Sequence, residues 1–184
     1  RLITGRGGVL RAVTRGAGKG FQFPHKCAGP RCPTAVLQSP HSEDLNPGTR
    51  PLAYGATIRL ARDQTSKGQN VLQKGYSATS SQYKLQIDGG AGRPSCVLVG
   101  VRRSGIRHVT SSVSVADGAW HTVQCVRQGS ALRVVVDGVI RGLAKIPPTL
   151  QPTTWTGRPP QWRLTSPSLL VTSTVCGSAK RAVP

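Results

Sequence analysis

The chain has 184 residues, of which 37% are hydrophobic and 4% aromatic, and its 25 lysines and arginines outnumber six acidic residues to give a net charge of +19. This length favours one domain with a real core, and no apolar run approaches the roughly 20 residues that span a membrane. The basic residues are spread along the chain in runs no longer than two and accompany no nucleic-acid-binding motif, so we predict no specific nucleic-acid partner.

The N-terminal 20 residues are rich in glycine and carry only short apolar stretches. The sequence starts at Arg1 and contains no methionine, so we expect a fragment of a longer protein. We predict that residues 1–20 form a flexible segment, with a frayed edge strand as the alternative. The main domain is expected over residues 21–150 and an atypical tail over residues 151–184.

From residue 21 onward, short segments with the period of a β-strand alternate with turn residues. The segment 83–87 alternates strictly between apolar and polar residues and ends on Asp88-Gly89, a pair typical of tight turns. No stretch of ten residues has a convincing helical period. We predict an all-β, antiparallel sandwich or barrel with strands at 21–24, 35–38, 54–60, 70–74, 83–87, 96–101, 107–115, 120–127, 132–136 and 139–146.

Five cysteines occur, and an odd number leaves at least one unpaired. Cys27 and Cys32 bracket a turn-rich spacer that can close a small loop. Cys96 and Cys125 lie in two predicted strands, where we favour a disulfide across strands or sheets over two buried free thiols. Such a bridge implies an oxidising compartment. If the C-terminal tail is foreign to the fold, Cys176 is the unpaired thiol.

Several of these segments together are similar to a known family. They read Tyr-Gly-Ala-Thr-Ile at 54–58, Asn-Val-Leu-Gln-Lys-Gly at 70–75, Tyr-Lys-Leu-Gln-Ile at 83–87, Asp-Gly-Ala-Trp-His-Thr-Val at 117–123 and Leu-Arg-Val-Val-Val-Asp-Gly at 132–138. The pattern resembles the laminin G-like, concanavalin A-like jelly roll common in bacterial exported proteins, and it covers about residues 20–146. The resemblance implies an antiparallel jelly-roll β-sandwich, and the predicted Cys96–Cys125 bridge resembles one found in such domains.

The most specific part of the resemblance is the Trp120-His121 strand followed by the Asp137-Gly138 turn. In the family these residues are structural and not catalytic. Trp120 is expected to anchor the core and His121 to point to the opposite face. We predict that His121 is a surface histidine rather than a ligand or a base, because no nearby aspartate or glutamate is expected to orient it.

The same jelly roll also carries glucanases, so an enzyme must be considered. Retaining glycosidases need two carboxyl groups about 5–5.5 Å apart, and the six acidic residues form no alternating pair on a predicted strand. We therefore predict that the chain is not an enzyme. Calcium is common in this fold, but Asp63 and Asp88 are weak candidates for an ion that takes six to eight oxygen ligands, and we predict no cofactor.

The C-terminal tail departs from the family pattern. Residues 151–184 are basic and rich in proline, serine and threonine, and they lack the final hairpin and strand that complete the sandwich. We expect a frameshifted or degenerate C-terminus that leaves the sandwich edge incomplete and unpaired, unless the apolar residues 169–171 pair as a replacement strand.

The resemblance implies a noncatalytic binding module at the cell surface or outside the cell. Its ligand is expected to be a glycan or a cell-surface protein, held by the rim loops 63–68, 76–81 and 102–107. A structural spacer within a larger exported protein and a relative of glycoside hydrolases are the alternatives.

Five residues near these loops are candidates for binding. Tyr76 and Tyr83 have rings that can stack on a sugar, although either is equally suited to the core. The basic candidates are Arg102, Arg103 and Arg107.

Overall fold

The computed structural model describes residues 1–40, 42–77, 81–101 and 105–152, and the backbone of residues 164–165 and 170–172. Within these residues the chain forms strands and two short 3-10 turns, Glu43–Leu45 and Arg62–Gln64. Among the described residues there is no helix with the length and hydrophobicity of a membrane-spanning segment. The strands are β1 (Leu2–Gly5), β2 (Arg11–Arg15), β3 (Gly18–Gln22), β4 (Thr34–Leu37), β5 (Leu52–Arg59), β6 (Gln69–Gly75), β7 (Gln82–Asp88), β8 (Arg93–Val99), β9 (Ile106–Thr110), β10 (Trp120–Gln128), β11 (Ala131–Val136), β12 (Val139–Lys145), β13 (Leu164–Thr165) and β14 (Leu170–Thr172).

These strands build two antiparallel layers. A seven-stranded sheet has the order β12-β11-β10-β5-β14-β3-β2, and a four-stranded sheet has the order β6-β7-β8-β9. A third sheet, β1-β4-β13, lies beside the four-stranded sheet, because β13 contacts β6. The predicted antiparallel all-β sandwich is confirmed.

The core lies between the layers and follows from the alternation of each strand. On β7, Tyr83, Leu85 and Ile87 are buried, whereas the residues between them are partly exposed. Cys96 of β8 and Cys125 of β10 form a disulfide with a Cα–Cα distance of 5.5 Å. This bridge joins the four-stranded to the seven-stranded sheet, and a second bridge joins Cys27 to Cys32, so both predicted disulfides are confirmed.

The turn between β11 and β12 is the predicted Asp-Gly turn. Val136 pairs directly with Val139, so the loop consists of Asp137 and Gly138 alone. Their φ angles are +51° and +80°, a left-handed conformation that Asp and Gly tolerate and that fits the twist of a two-residue hairpin.

Both ends of the chain contribute strands to the sheets. Residues 1–20, which we expected to be a flexible segment, contain β1, β2 and the first part of β3. β1 pairs with β4, and β2 pairs with β3. At the other end, β14 pairs with both β3 and β5, so the replacement strand forms in the interior of the seven-stranded sheet rather than leaving its edge incomplete. Cys176 lies outside the described residues.

Trp120 corrects a prediction, because it does not enter the core. The inward side chains of β10 include Val123 and Cys125, and the disulfide fixes which face they occupy. Since successive side chains of a strand point to opposite faces, Trp120 falls on the outer face. There the guanidinium carbon of Arg15 lies 5.0 Å from the ring centroid, in the range of a cation–π contact.

Candidate functional site

The register of the four-stranded sheet decides which of the predicted rim loops meet. Gly75, Gln82, Val99 and Ile106 stand in one row across β6, β7, β8 and β9. The connections from β6 to β7 and from β8 to β9 therefore leave the sheet at the same end, which we call the hairpin end. Of the three predicted rim loops, 76–81 and 102–107 have their described ends there.

The third predicted loop, 63–68, lies at the opposite end of the same sheet. It leads into Gln69, which pairs with Ile87 near the end of β7. Its Thr65 hydroxyl donates to the Gly90 carbonyl at 3.4 Å, in the turn between β7 and β8. This loop therefore does not share a surface with the hairpin end.

Large side chains at the hairpin end are open to solvent. Tyr76 is 61% exposed and Ile106 is 62% exposed, and Val101 and Arg107 are exposed as well. Adjacent strands lie about 4.8 Å apart, so the strands that carry Tyr76 and Ile106, three positions apart, are about 14 Å from each other. Arg102 and Arg103, the other basic candidates, lie outside the described residues.

Tyr83, the second aromatic candidate, is a core residue and not a ligand-binding one. It is 1% exposed, and its ring centroid lies 5.1 Å from that of Tyr54. Its hydroxyl donates to the Leu45 carbonyl at 3.0 Å. Burial raises the pKa of Tyr83, and the neighbouring Tyr54 adds to the effect. The position of Tyr83 on the inward face of β7 is the physical reason for this correction.

A histidine held between two carboxylates lies where β10 begins. His121 Nδ1 is 2.7 Å from Asp137 Oδ2, and His121 Nε2 is 3.0 Å from Asp117 Oδ1. Asp137 Oδ1 also accepts the backbone amide of Thr122 at 2.7 Å, and Asp117 Oδ1 accepts that of Ala119 at 2.8 Å. The expectation that no carboxylate lies near His121 is therefore wrong. The turn between β11 and β12 brings Asp137 back beside the strand.

The electrostatics of this cluster favour the charged imidazolium. Partial burial lowers the pKa of His121, but its hydrogen bonds with Asp137 and Asp117 outweigh burial, so the pKa is raised. The amide of Ala119 and the imidazole lower the pKa of Asp117. Burial alone would raise the pKa of Asp137. The hydrogen bonds with the His121 imidazole and the Thr122 amide have the larger combined effect, so the pKa is lowered. Because both ring nitrogens face carboxylates, neither is available to take a proton from a substrate.

The two calcium candidates are each engaged by neighbouring donors. Asp88 accepts Gln86 Nε2 at 2.6 Å on one oxygen and the Ser95 hydroxyl on the other. Asp63 Oδ2 accepts Gln64 Nε2 at 3.1 Å. Across the described residues, no three histidine, cysteine, aspartate or glutamate side chains are grouped in a way that could hold a metal ion.

Two buried cations were not predicted from the sequence. Lys74 of β6 is fully buried and donates to the Leu45 carbonyl at 3.0 Å and to the Asn46 side chain. Burial lowers its pKa to about 8, although the carboxylate of Glu43 acts against it. Arg127 of β10 is also buried, and its guanidinium donates to the carbonyls of Gly48, Thr49 and Pro148.

Both cations therefore fix the connection 42–50 to the sheets from inside. The β pattern alone does not distinguish them from surface basic residues. Their position in the alternation is the one available signal, since Lys74 pairs with the inward Tyr83 and Arg127 follows the inward Cys125 by two residues.

Comparisons with known proteins identify the type of fold. No protein-family model matches the chain, and no curated protein sequence matches it. Among solved structures, the binding domain of botulinum neurotoxin DC in complex with SialylT is similar with a TM-score of 0.58 and 8% identity. That match covers 97% of this chain and 44% of the toxin domain.

Two further structures are similar to the same degree. Mouse laminin alpha1 chain, domains LG4-5, has a TM-score of 0.56 and 15% identity, over 74% of this chain and 37% of that one. Domain 4 of AbnA, a GH43 extracellular arabinanase from Geobacillus stearothermophilus, in complex with arabinotriose, has a TM-score of 0.55 and 14% identity, over 97% of this chain and 82% of that one. This chain is thus an antiparallel two-layered β-sandwich, and its fold is the laminin G-like, concanavalin A-like one. The chain spans less than half the length of the toxin and laminin structures.

Proposed function

We propose that this chain is a noncatalytic carbohydrate-binding domain of an extracellular or cell-surface protein, with the sugar held at the hairpin end. The observation that carries the proposal is the pair of exposed side chains, Tyr76 and Ile106, at one end of one sheet. An aromatic face suits the apolar face of a sugar ring. Arg107 follows Ile106 on β9 but pairs with the inward Leu98, so its side chain leaves the opposite face of the sheet from that of Ile106.

The comparisons and the disulfides support the class of ligand and the location. The toxin binding domain and AbnA domain 4 share the fold and were solved with SialylT and with arabinotriose. Fold likeness is an associational argument, since one fold serves many functions. The disulfides Cys27–Cys32 and Cys96–Cys125 favour an oxidising compartment.

The carboxylates support a noncatalytic role. Each of the six acidic side chains interacts with a donor of the domain itself. A retaining glycosidase needs one carboxyl group poised as an acid and another as a nucleophile, and these carboxylates are occupied in turns and loops or by His121. The acceptors are Glu43, Asp44, Asp63, Asp88, Asp117 and Asp137.

A glycan array with a matched pair of aromatic variants tests this function. The wild-type domain is expected to bind a subset of glycans at low and at high salt, which separates specific binding from the nonspecific attraction of a basic protein. Tyr76→Ala should lose this binding, whereas Phe21→Ala should retain it, because Phe21 is an exposed aromatic residue on β3 of the other layer.

Three outcomes contradict the proposal. If the wild-type domain binds no glycan at either salt concentration, the result favours a structural spacer. Equal binding by Tyr76→Ala and the wild type removes the hairpin end as the site. Release of sugar from polysaccharides by the purified domain refutes the noncatalytic role.

A further inference from the structure

Exposed apolar side chains are concentrated on β12, the edge strand of the seven-stranded sheet. Val139 is 48% exposed, Ile140 56% and Leu143 65%. No other strand whose side chains are described carries more than one exposed large hydrophobic residue. A cluster of exposed apolar side chains marks a surface that contacts a partner or a membrane. We call Val139, Ile140 and Leu143 the β12 patch.

Two members of the β12 patch share the outer face of the sheet. Ile140 pairs with Val135 of β11, and Leu143 pairs with Arg133. Val134 is fully buried, so its neighbours Val135 and Arg133 point outward, and their cross-strand partners point outward with them. Residues two apart on a strand are separated by about 7 Å. Ile140 and Leu143 therefore form one continuous apolar surface.

The third member, Val139, is exposed on the other face of the strand. It pairs with the inward Val136, yet it remains 48% exposed, and the two turn residues before it are exposed as well. The end of the β11–β12 hairpin therefore stands clear of the core. Its base is anchored, because the Ser112 amide donates to the Arg141 carbonyl at 2.7 Å. A fluid interface can surround both faces of such a projection, whereas a flat protein surface covers only one.

Basic side chains surround the β12 patch. Arg141 and Lys145 of the same strand are exposed, and Arg133 lies directly opposite Leu143. Long basic side chains can extend from an apolar surface so that their charged groups reach phosphate headgroups. This combination of apolar and basic residues is typical of surfaces that bind the interface of an anionic membrane.

The acidic residues near this hairpin do not cancel the positive charge. Asp137 in the turn and Asp117 both contact His121, whose raised pKa favours an imidazolium that offsets part of their charge. The whole chain has a net charge of +19. This charge disfavours a second copy of the chain as the occupant of the β12 patch and favours an anionic surface.

We propose that the β12 patch inserts into the interface of a membrane that contains anionic lipids, with Ile140 and Leu143 at the acyl boundary and with Arg141 and Lys145 on the phosphate headgroups. The proposal goes beyond carbohydrate binding and does not depend on it, because the β12 patch shares no residue with the hairpin end. Apolar contact and charge act together here, since neither alone gives stable attachment of a domain to a membrane.

Co-sedimentation of the full chain with lipid vesicles tests the proposal. The wild type should bind phosphatidylcholine vesicles that contain about 30% phosphatidylglycerol at least about tenfold more tightly than vesicles of phosphatidylcholine alone. The double variant Ile140→Ser/Leu143→Ser keeps the net charge and should bind the anionic vesicles at least about tenfold more weakly than the wild type. Leu2→Ser/Val9→Ser is the matched control, because both residues are similarly exposed and lie near β4, away from β12.

A second pair of variants tests the contribution of charge. Arg141→Gln/Lys145→Gln should weaken binding to the anionic vesicles by more than about tenfold, the range expected for two basic residues close to an anionic membrane. Arg11→Gln/Lys19→Gln removes the same charge from exposed positions on β2 and β3, at the opposite side of the seven-stranded sheet. This control should weaken binding much less.

Three results would overturn the proposal. If the wild type does not bind the anionic vesicles, the β12 patch is a contact for a protein and not for a membrane. If Ile140→Ser/Leu143→Ser binds as the wild type does, the attraction is that of any strongly basic chain. The third result is an equal loss of binding in the patch variants and in their controls. The circular dichroism spectrum of each variant should match that of the wild type, and the charge variants carry the test if the serine variant does not fold.

Discussion

His121 Nδ1 lies 2.7 Å from Asp137 Oδ2, and this contact ties the β11–β12 turn to the beginning of β10. The other oxygen of Asp137 accepts the amide of Thr122, and the backbone amide of Asp137 donates to the Thr122 carbonyl at 2.8 Å. His121, Thr122 and Asp137 thus hold the β11–β12 hairpin against β10. Their ionisation states have measurable consequences.

Asp137→Asn should lower the pKa of His121. Asparagine accepts the Thr122 amide and tolerates positive φ, so the turn should be preserved while the negative charge beside the imidazole is lost. NMR titration of the His121 ring protons measures the change, and His108, exposed on another strand, is the internal control. An unchanged His121 pKa would show that Asp137 does not stabilise the imidazolium.

The same cluster should make stability depend on pH in a defined window. The raised pKa of His121 stabilises the fold fully below about 6.5, and this contribution is lost as the pH rises through the folded-state pKa. The lowered pKa values of Asp117 and Asp137 contribute above about 3.8 and are lost as the pH falls. Because these carboxylates are half exposed, we expect a difference of about 1 kcal/mol or less between wild type and Asp137→Asn.

Urea unfolding at pH 5.5 and pH 9 checks this window. The wild type should exceed Asp137→Asn in free energy of unfolding at the lower pH, and the difference should narrow at the higher pH. A difference that grows with pH would contradict the assignment of His121 as an imidazolium between two carboxylates.

The two disulfides should contribute unequally to stability. Cys96–Cys125 closes a sequence separation of 29 residues and Cys27–Cys32 one of 5. Loop-closure entropy then predicts about 4 kcal/mol for the first and about 2 kcal/mol for the second. Urea unfolding of the two double Cys→Ala variants measures both values, and each variant serves as the control for the other. Equal losses would contradict an entropic origin.

Lys74→Met should destabilise the domain by about 2 kcal/mol, because it removes the buried donor to Leu45 and Asn46. The lowered pKa of Lys74 also makes the stability difference between the wild type and Lys74→Met depend on pH. Between about 8 and 10.5 the unfolded chain holds its proton more tightly than the folded one, so the wild type should gain stability relative to Lys74→Met as the pH rises through this range.

Chemical denaturation at pH 7 and pH 10 measures both effects. Lys145→Met, at an exposed lysine on β12, should change stability by less than about 0.5 kcal/mol. If Lys74→Met were as stable as Lys145→Met, or if the difference from wild type did not vary with pH, Lys74 would not have the buried role described above.

The alternation of apolar and polar residues along the strands was enough to predict the antiparallel β-sandwich. Alternation identified β7 and its inward side chains, and turn residues identified the Asp137-Gly138 hairpin. The predicted strand 107–115 was too long, because β9 ends at Thr110 and the Ser111 hydroxyl then accepts the amide of Val113 at 3.1 Å. Such a side chain–backbone bond competes with the strand ladder, and an apolar alternation does not reveal it.

The errors at single positions have one physical cause, which is that residue type was given more weight than strand register. Trp120 is large and apolar and was assigned to the core, but the register set by Cys125 turns it outward. Lys74 and Arg127 carry a charge, which favours exposure, but the same alternation turns them inward onto carbonyl groups. The contact of His121 with Asp137 depends on the hairpin turn, which brings together residues 16 positions apart.

NMR mapping of a glycan selected from the array tests most directly whether the hairpin end binds carbohydrate. We expect the largest backbone amide shifts at residues 75–77 and 105–107. Shifts concentrated at residues 63–68 and 89–92, at the opposite end of the sheet, would contradict it, as would the absence of shifts with every glycan tested.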